Sequence, residues 1–196
     1  MKQEDKLLHL IQLAKETSVL RQAVVEQLGS SLVDTANLIS GVIGAGGKLL
    51  LAGNGGSAAQ ASHFAAELVV RLTAERNRQA LPAVALCVDP SVMTASGNDF
   101  GFEHVFSRQV EGLGNRGDML IILSTSGNSR NLVKAARTAR EKGLITVALL
   151  GGTGGKLGGM VERSLVVPHA ATQRVQEEHQ FIIHVLVELV EEDLCA

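Results

Sequence analysis

"LLLAGNGGSAAQASHFAAE", residues 49–67, passes from an apolar run through a turn of small residues into a stretch that sets His63 and Glu67 four apart. The opening run is short, continuous and closed by glycine, the pattern of a strand covered on both faces. Gly53, Gly55 and Gly56 permit a tight turn, and the alanine-rich residues after Ser57 read as a helix. Strand, glycine turn and helix in that order begin a β-α-β unit.

The pattern recurs along the chain. "AVALCV" (83–88), "DMLIILS" (118–124), "LITVALL" (144–150) and "RSLVVP" (163–168) are further apolar runs bounded by Gly, Pro, Asp or Ser. Helical patterns intervene at 58–72, 103–112 and 129–142, so the units predict a parallel sheet with helices on both sides. Apolar positions at three- and four-residue spacing predict two helices before the first strand, over 3–28 and 31–45, and a last one over 172–193. The chain reads as one α/β domain over residues 1–196: N-terminal helices in 1–45, a core of 46–170 and a C-terminal helix in 171–196.

Composition narrows the function. The 196 residues are 45% apolar, with three prolines and a formal net charge of −2. No Lys/Arg cluster stands out, and Trp and Tyr are absent, so neither the charge footprint nor the stacking platform of a nucleic-acid binder is present. No apolar stretch approaches the roughly 20 residues of a membrane span. "MKQEDKLLHL" lacks the features of a signal peptide, so a cytoplasmic protein with a small-molecule partner is expected. Cys87 and Cys195 have no CxxC spacing and read as free thiols.

Ligands of such sheets sit beyond the carboxyl ends of the strands, and three loops qualify. In Gly53-Asn54-Gly55-Gly56-Ser57, backbone N–H groups at the start of a helix suit an anion, although a tight turn without a ligand needs the same glycines. The spacing is not GxGxxG and no Walker lysine follows, which argues against nucleotides; the later "GTGGKLGG" reads as a loop. "STSGNS" offers Ser124, Thr125, Ser126 and Ser129 as hydroxyl donors able to wrap a phosphate, as sugar phosphates require. Ser129 equally reads as a helix N-cap. In "SGNDFGFEH", Asn98 and Asp99 suit sugar hydroxyls or simply a turn.

His63 and Glu67 share a helix face and could bind a metal, share a proton or form a solvated pair. Their small, apolar neighbours argue for a purpose. The segment "RVQEEHQFIIHVLVELVEE" adds Gln176, His179 and His184 in a helix otherwise rich in Ile, Val and Leu. Two imidazoles, a carboxylate and an amide oxygen form a plausible zinc set, with Gln an uncommon ligand.

"GNGGSAAQASHFAAEL", "GNDFGFEHVFSRQVE", "STSGNSRNLVKA" and "RVQEEHQFIIHVL", in this order, resemble the phosphoheptose isomerases of the sugar isomerase (SIS) domain superfamily. The resemblance covers nearly the whole chain. It implies a three-layer sandwich around a mainly parallel five-stranded sheet with extra N- and C-terminal helices. It also implies a homotetramer with sites between subunits. The implied reaction converts sedoheptulose 7-phosphate to D-glycero-D-manno-heptose 7-phosphate for lipopolysaccharide or S-layer glycan precursors, with zinc in some members, one ion per subunit. Carried over residue by residue, Asn54, Gly55, Gly56, Asn98, Asp99, Ser124, Thr125, Ser126 and Ser129 lie at the substrate. His63, Glu67, Gln176 and His184 fall on metal and catalytic positions, Glu67 and Gln176 touching substrate as well. Gln60 and Gln173 depart from the residues many members carry there. A non-enzymatic SIS relative that associates with the replication initiator is the alternative, but its Glu and His positions are altered, whereas Glu67 and His184 are retained here.

Aldose–ketose isomerisation needs a base at the carbon beside a carbonyl and an acid that serves the oxygens. Glu67 is assigned as base and His184 as acid. Gln176 and His184, eight residues apart on one helix, differ by about 12 Å in height and roughly 80° in direction. Their meeting at one metal requires an irregular first turn or helices from neighbouring subunits.

Overall fold

The computed structural model describes residues 3–195. Its five strands are β1 (Leu49–Gly53), β2 (Ala83–Ala85), β3 (Met119–Ser124), β4 (Ile145–Gly151) and β5 (Arg163–Val167), all parallel in the order β2-β1-β3-β4-β5. The helices are α1 (Gln3–Gly44), α2 (Gly56–Val69), α3 (Pro90–Phe100), α4 (Ser107–Leu113), α5 (Arg130–Glu141), the single-turn α6 (Gly155–Gly158) and α7 (Thr172–Cys195), with a 3-10 turn at Phe102–His104.

The unbroken apolar runs follow from burial on both faces. Alternate strand side chains point to opposite sides. Leu49, Leu51, Ile121, Leu123, Val147 and Leu149 join the core beneath α1, α2 and α7. Leu50, Ala52, Leu120, Ile122, Ala148 and Leu150 join the one beneath α4 and α5. The three-layer α/β architecture expected from the sequence is the one observed. No helix among the described residues is long and apolar enough to cross a membrane.

Three local expectations are corrected. The two helices expected at 3–28 and 31–45 are one 42-residue helix. Gly29 costs an exposed helix about 1 kcal/mol, yet Leu20 and Val24 before it and Leu32, Ala36 and Ile39 after it all enter the same core, which carries the helix through. The segment around Asn98 is not a loop but the end of α3, a helix started by Asp89, whose side chain accepts from the backbone N–H of Ser91 and Val92, with Pro90 in the first turn. "GTGGKLGG" contains the single turn of α6.

From β1 the chain continues to β2 on one side, and β3 lies on the other. That order places the topological switch between β1 and β3, whose carboxyl ends lead into Asn54 and Thr125. At the amino ends of β1 and β3, the Asp118 carboxylate pairs with Lys48 Nζ and accepts from the backbone N–H of Lys48 (3.0 Å) and Asn115 (2.8 Å). Burial pushes the Asp118 carboxyl up, but the Lys48 and backbone hydrogen bonds outweigh it and leave the group below its ordinary range.

Candidate active site

The turn after β1 depends on glycine. Gly55 has φ 54°, and a Cβ on Gly56 would sit 2.6 Å from the side-chain Nε2 of Gln176. The backbone of α2's first turn thereby approaches α7 closely. A cavity of about 270 Å³ opens there, lined by Asn54, Gly56, Ser57, Ser124, Thr125, Ser126, Ser129, Thr172 and Gln176 among others. Two of the three loops that the sequence singles out thus form walls of one pocket at the switch point. Both α2 and α5 begin at its edge, and helix starts of this kind offer unpaired N–H groups and partial positive charge to an anion.

Ser129 precedes α5 with extended geometry, but its hydroxyl makes no capping bond. The capping role expected of it is therefore positional only. Ser124 Oγ accepts from Gly127 N at 3.1 Å and shapes its own loop. The walls are tied together by a reciprocal amide pair. Asn54 Nδ2 donates to Asn131 Oδ1 at 3.0 Å, and Asn131 Nδ2 donates to Asn54 Oδ1 at 2.8 Å. Asn131 is buried, and the sequence reading did not single it out.

His63 and Glu67 do share a face of α2, with His63 Nε2 3.4 Å from Glu67 Oε1. Across from them on α7, His184 Nε2 lies 2.9 Å from His63 Nε2. All three residues belong to one chain, so no neighbouring copy is needed to bring them together. The helix geometry noted for Gln176 and His184 has a plain resolution. α7 is regular from Thr172, Gln176 lies against Gly56 in the cavity wall, and the amide that reaches His184 Nε2 is that of Gln180, at 2.9 Å. Gln180, half-buried one turn before His184, was missed because a lone glutamine in a helix carries no signal of its own.

Asn98 and Asp99 stand exposed at the end of α3, Asn98 Nδ2 donating to Asp99 Oδ1 at 2.8 Å, and do not line this cavity. His179 is fully buried under β4 beside Leu150 O and belongs to the core.

A family model for the SIS domain matches residues 12–151. The phosphoheptose isomerase of Pelodictyon phaeoclathratiforme is 49% identical over 173 residues, 88% of this chain and 82% of that protein. The solved phosphoheptose isomerase of Neisseria gonorrhoeae superposes with a TM-score of 0.87 at 40% identity, covering 97% of this chain and 98% of that one. That of Francisella tularensis gives 0.90 at 32% identity, covering 98% and 100%. The chain belongs to the phosphoheptose isomerases, a branch of the SIS domain family.

Zinc, implied by the resemblance to phosphoheptose isomerases, can be tested against these side chains. Tetrahedral zinc holds imidazole nitrogens at about 2.0–2.1 Å, which separates two of them by about 3.3 Å. The His63–His184 and His63–Glu67 spacings, 2.9 and 3.4 Å, come within a few tenths of that edge. The donor types and these two distances therefore fit. Among the described residues, however, no three His, Cys, Asp or Glu side chains are already gathered around one point. In this arrangement the two imidazoles bond to each other.

Proposed function

We propose that the protein converts sedoheptulose 7-phosphate to D-glycero-D-manno-heptose 7-phosphate, an aldose–ketose isomerisation through an enediol. One observation carries the reading. The same two helices that wall the hydroxyl-lined cavity, α2 through Gly56 and Ser57 and α7 through Thr172 and Gln176, also bring His63, Glu67 and His184 together. A phosphate held by Ser124, Thr125, Ser126, Ser129 and the helix N–H groups anchors one end of the sugar. The carbonyl end then extends toward the His–Glu group.

Glu67 takes the proton from the carbon beside the carbonyl and returns it to the neighbouring carbon. His184 serves the oxygens, giving a proton to the carbonyl oxygen as the enediol forms and taking one from the hydroxyl. Groups of this kind each contribute about 10²- to 10⁴-fold. His63, Glu67 and His184 would hold a zinc ion; Gln176, the fourth residue implied by the resemblance, lies in the cavity wall. When bound, that ion supplies Lewis-acid polarisation of the carbonyl.

A homotetramer is part of the proposal. Its support is the row of exposed apolar side chains along α1, Leu7, Leu8, Leu10, Ile11 and Val19, more than a solvent-facing helix requires. A cytoplasmic location and a product that feeds lipopolysaccharide or S-layer glycan precursors complete the reading. Retention of Glu67 and His184 favours it over the non-catalytic SIS alternative. The test is incubation of purified protein with sedoheptulose 7-phosphate, with aldose formation followed by NMR in the presence and absence of a chelator. No aldose under either condition, or after zinc is restored, would sink the proposal.

A further inference from the structure

We propose that Arg78 is a positioning residue for the isomerase site, fixing the backbone at Glu67 against α7 through Glu191. The inference rests on Glu67 and His184 being the proton-transfer pair.

The Arg78 side chain is 2% exposed and that of Glu191 3%, joined by Arg78 Nε donating to Glu191 Oε1 at 2.7 Å. The remaining guanidinium donors turn to α2. One terminal nitrogen donates to Glu67 O at 2.7 Å, and the other donates to Leu68 O at 2.8 Å and Gln79 O at 2.9 Å. Glu67 and Leu68 lie in the last turn of α2, where carbonyls have run out of intrahelical donors. That turn has no basic residue of its own, and the cap residue Val70 reaches back only to Ala66 O. The guanidinium therefore supplies what a C-terminal cap and a favourable charge at the helix end would supply.

Glu191 stands seven residues after His184 on α7, two turns along and on nearly the same face. It also accepts from Leu72 N at 3.3 Å, just beyond α2. One planar fork thus spans the turn that carries Glu67 and the helix that carries His184. Lysine has a point charge on a flexible stem and cannot reproduce that span. Proton transfer requires base and acid held to within a fraction of an ångström, and a misplacement of about 1 Å costs on the order of 10²-fold. A link that sets the backbone of one partner relative to the helix of the other is where such control is exerted.

The test uses the full chain with sedoheptulose 7-phosphate. Arg78→Lys and Glu191→Gln are assayed alone and combined with Glu67→Asp, well below each variant's Tm and at matched oligomer mass. The expected result is a kcat about 10- to 100-fold lower in each single variant, with KM within about 2-fold of wild type. In the Glu67→Asp background, where the base is already displaced, the same change costs less than about 3-fold. An unchanged kcat, or the full loss repeated on top of Glu67→Asp, overturns the proposal, because a purely stabilising pair would act independently of where the base sits. If Arg78→Lys does not fold, Glu191→Gln is held to the same criteria. Wild-type protein without turnover, or Glu67→Gln with full turnover, overturns the underlying assignment and this inference with it. Normal wild-type turnover beside unaffected variants overturns this inference alone.

Discussion

His63 on α2 and His184 on α7 meet Nε2 to Nε2 at 2.9 Å, with ring centroids 5.2 Å apart and planes inclined by 62°. A nitrogen pair at that distance shares a single proton, so one ring donates and the other accepts, and a metal ion would take the place of that proton. Titration of metal-free protein with zinc is expected to saturate near one ion per chain. His63→Ala and His184→Ala should each weaken that binding by at least about 10-fold, the loss that even an outer partner of a metal site causes. Calorimetry with zinc alone reads this without an activity assay, and undiminished affinity in both variants would remove the pair from any metal site.

Glu67→Gln keeps the shape of the side chain and loses the base. Turnover should fall by about 10²- to 10⁴-fold while substrate affinity stays within about 3-fold, since the phosphate cradle is untouched. Single-turnover kinetics and equilibrium binding separate the two quantities. Turnover like that of wild type would take Glu67 out of the mechanism.

Ser126 and Ser129 both line the cavity, and the Ser129 hydroxyl is free of any capping bond. Ser126→Ala and Ser129→Ala should therefore weaken binding of the phosphorylated sugar more than that of its unphosphorylated analogue. Each lost hydrogen bond to a charged group is worth about 1.5–3 kcal/mol. Calorimetry with both ligands decides the matter, and equal losses would mean that the loop does not grip phosphate.

What was legible in the sequence is what is local in it. β1, β3 and β4 declared themselves because both of their faces are buried, and the hydroxyl-lined cavity did so because its glycines and hydroxyls sit in two short loops. α3 was harder to read because only Ser96 of its residues is buried, so the helix rests on Asp89 and Pro90 rather than on an apolar stripe. Long-range pairings left no local trace. Asn54 and Asn131 are 77 positions apart and His63 and His184 are 121, and only the fold makes them neighbours. The break expected at Gly29 shows the converse, a local signal overridden by tertiary packing. Gln176, carried over from the resemblance as a metal position, lies in the cradle wall within this chain, and the residue beside His184 is Gln180.

His179 gives the fold a pH dependence separate from catalysis. It is fully buried, its Nε2–H donates to Leu150 O at 3.1 Å, and its Nδ1 has no hydrogen-bond partner. Burial lowers its pKa to about 4, the bond to Leu150 opposing this only in part. In the unfolded chain the imidazole returns to about 6.5. Between these values the unfolded state binds the proton and the native state does not, so stability rises with pH across the window. The stabilisation is fully present above the unfolded pKa and is lost as pH falls toward the folded one. Between pH 7 and pH 4.5 the shift predicts a loss of about 2 kcal/mol from this residue. His179→Leu removes the titration and fills the same apolar site. Urea unfolding of both proteins at the two pH values, at one chain concentration because assembly shifts apparent stability, should show the wild type losing about 2 kcal/mol more than the variant. Carboxylates common to both cancel in that difference, and parallel losses would show that His179 is protonated in the native core after all.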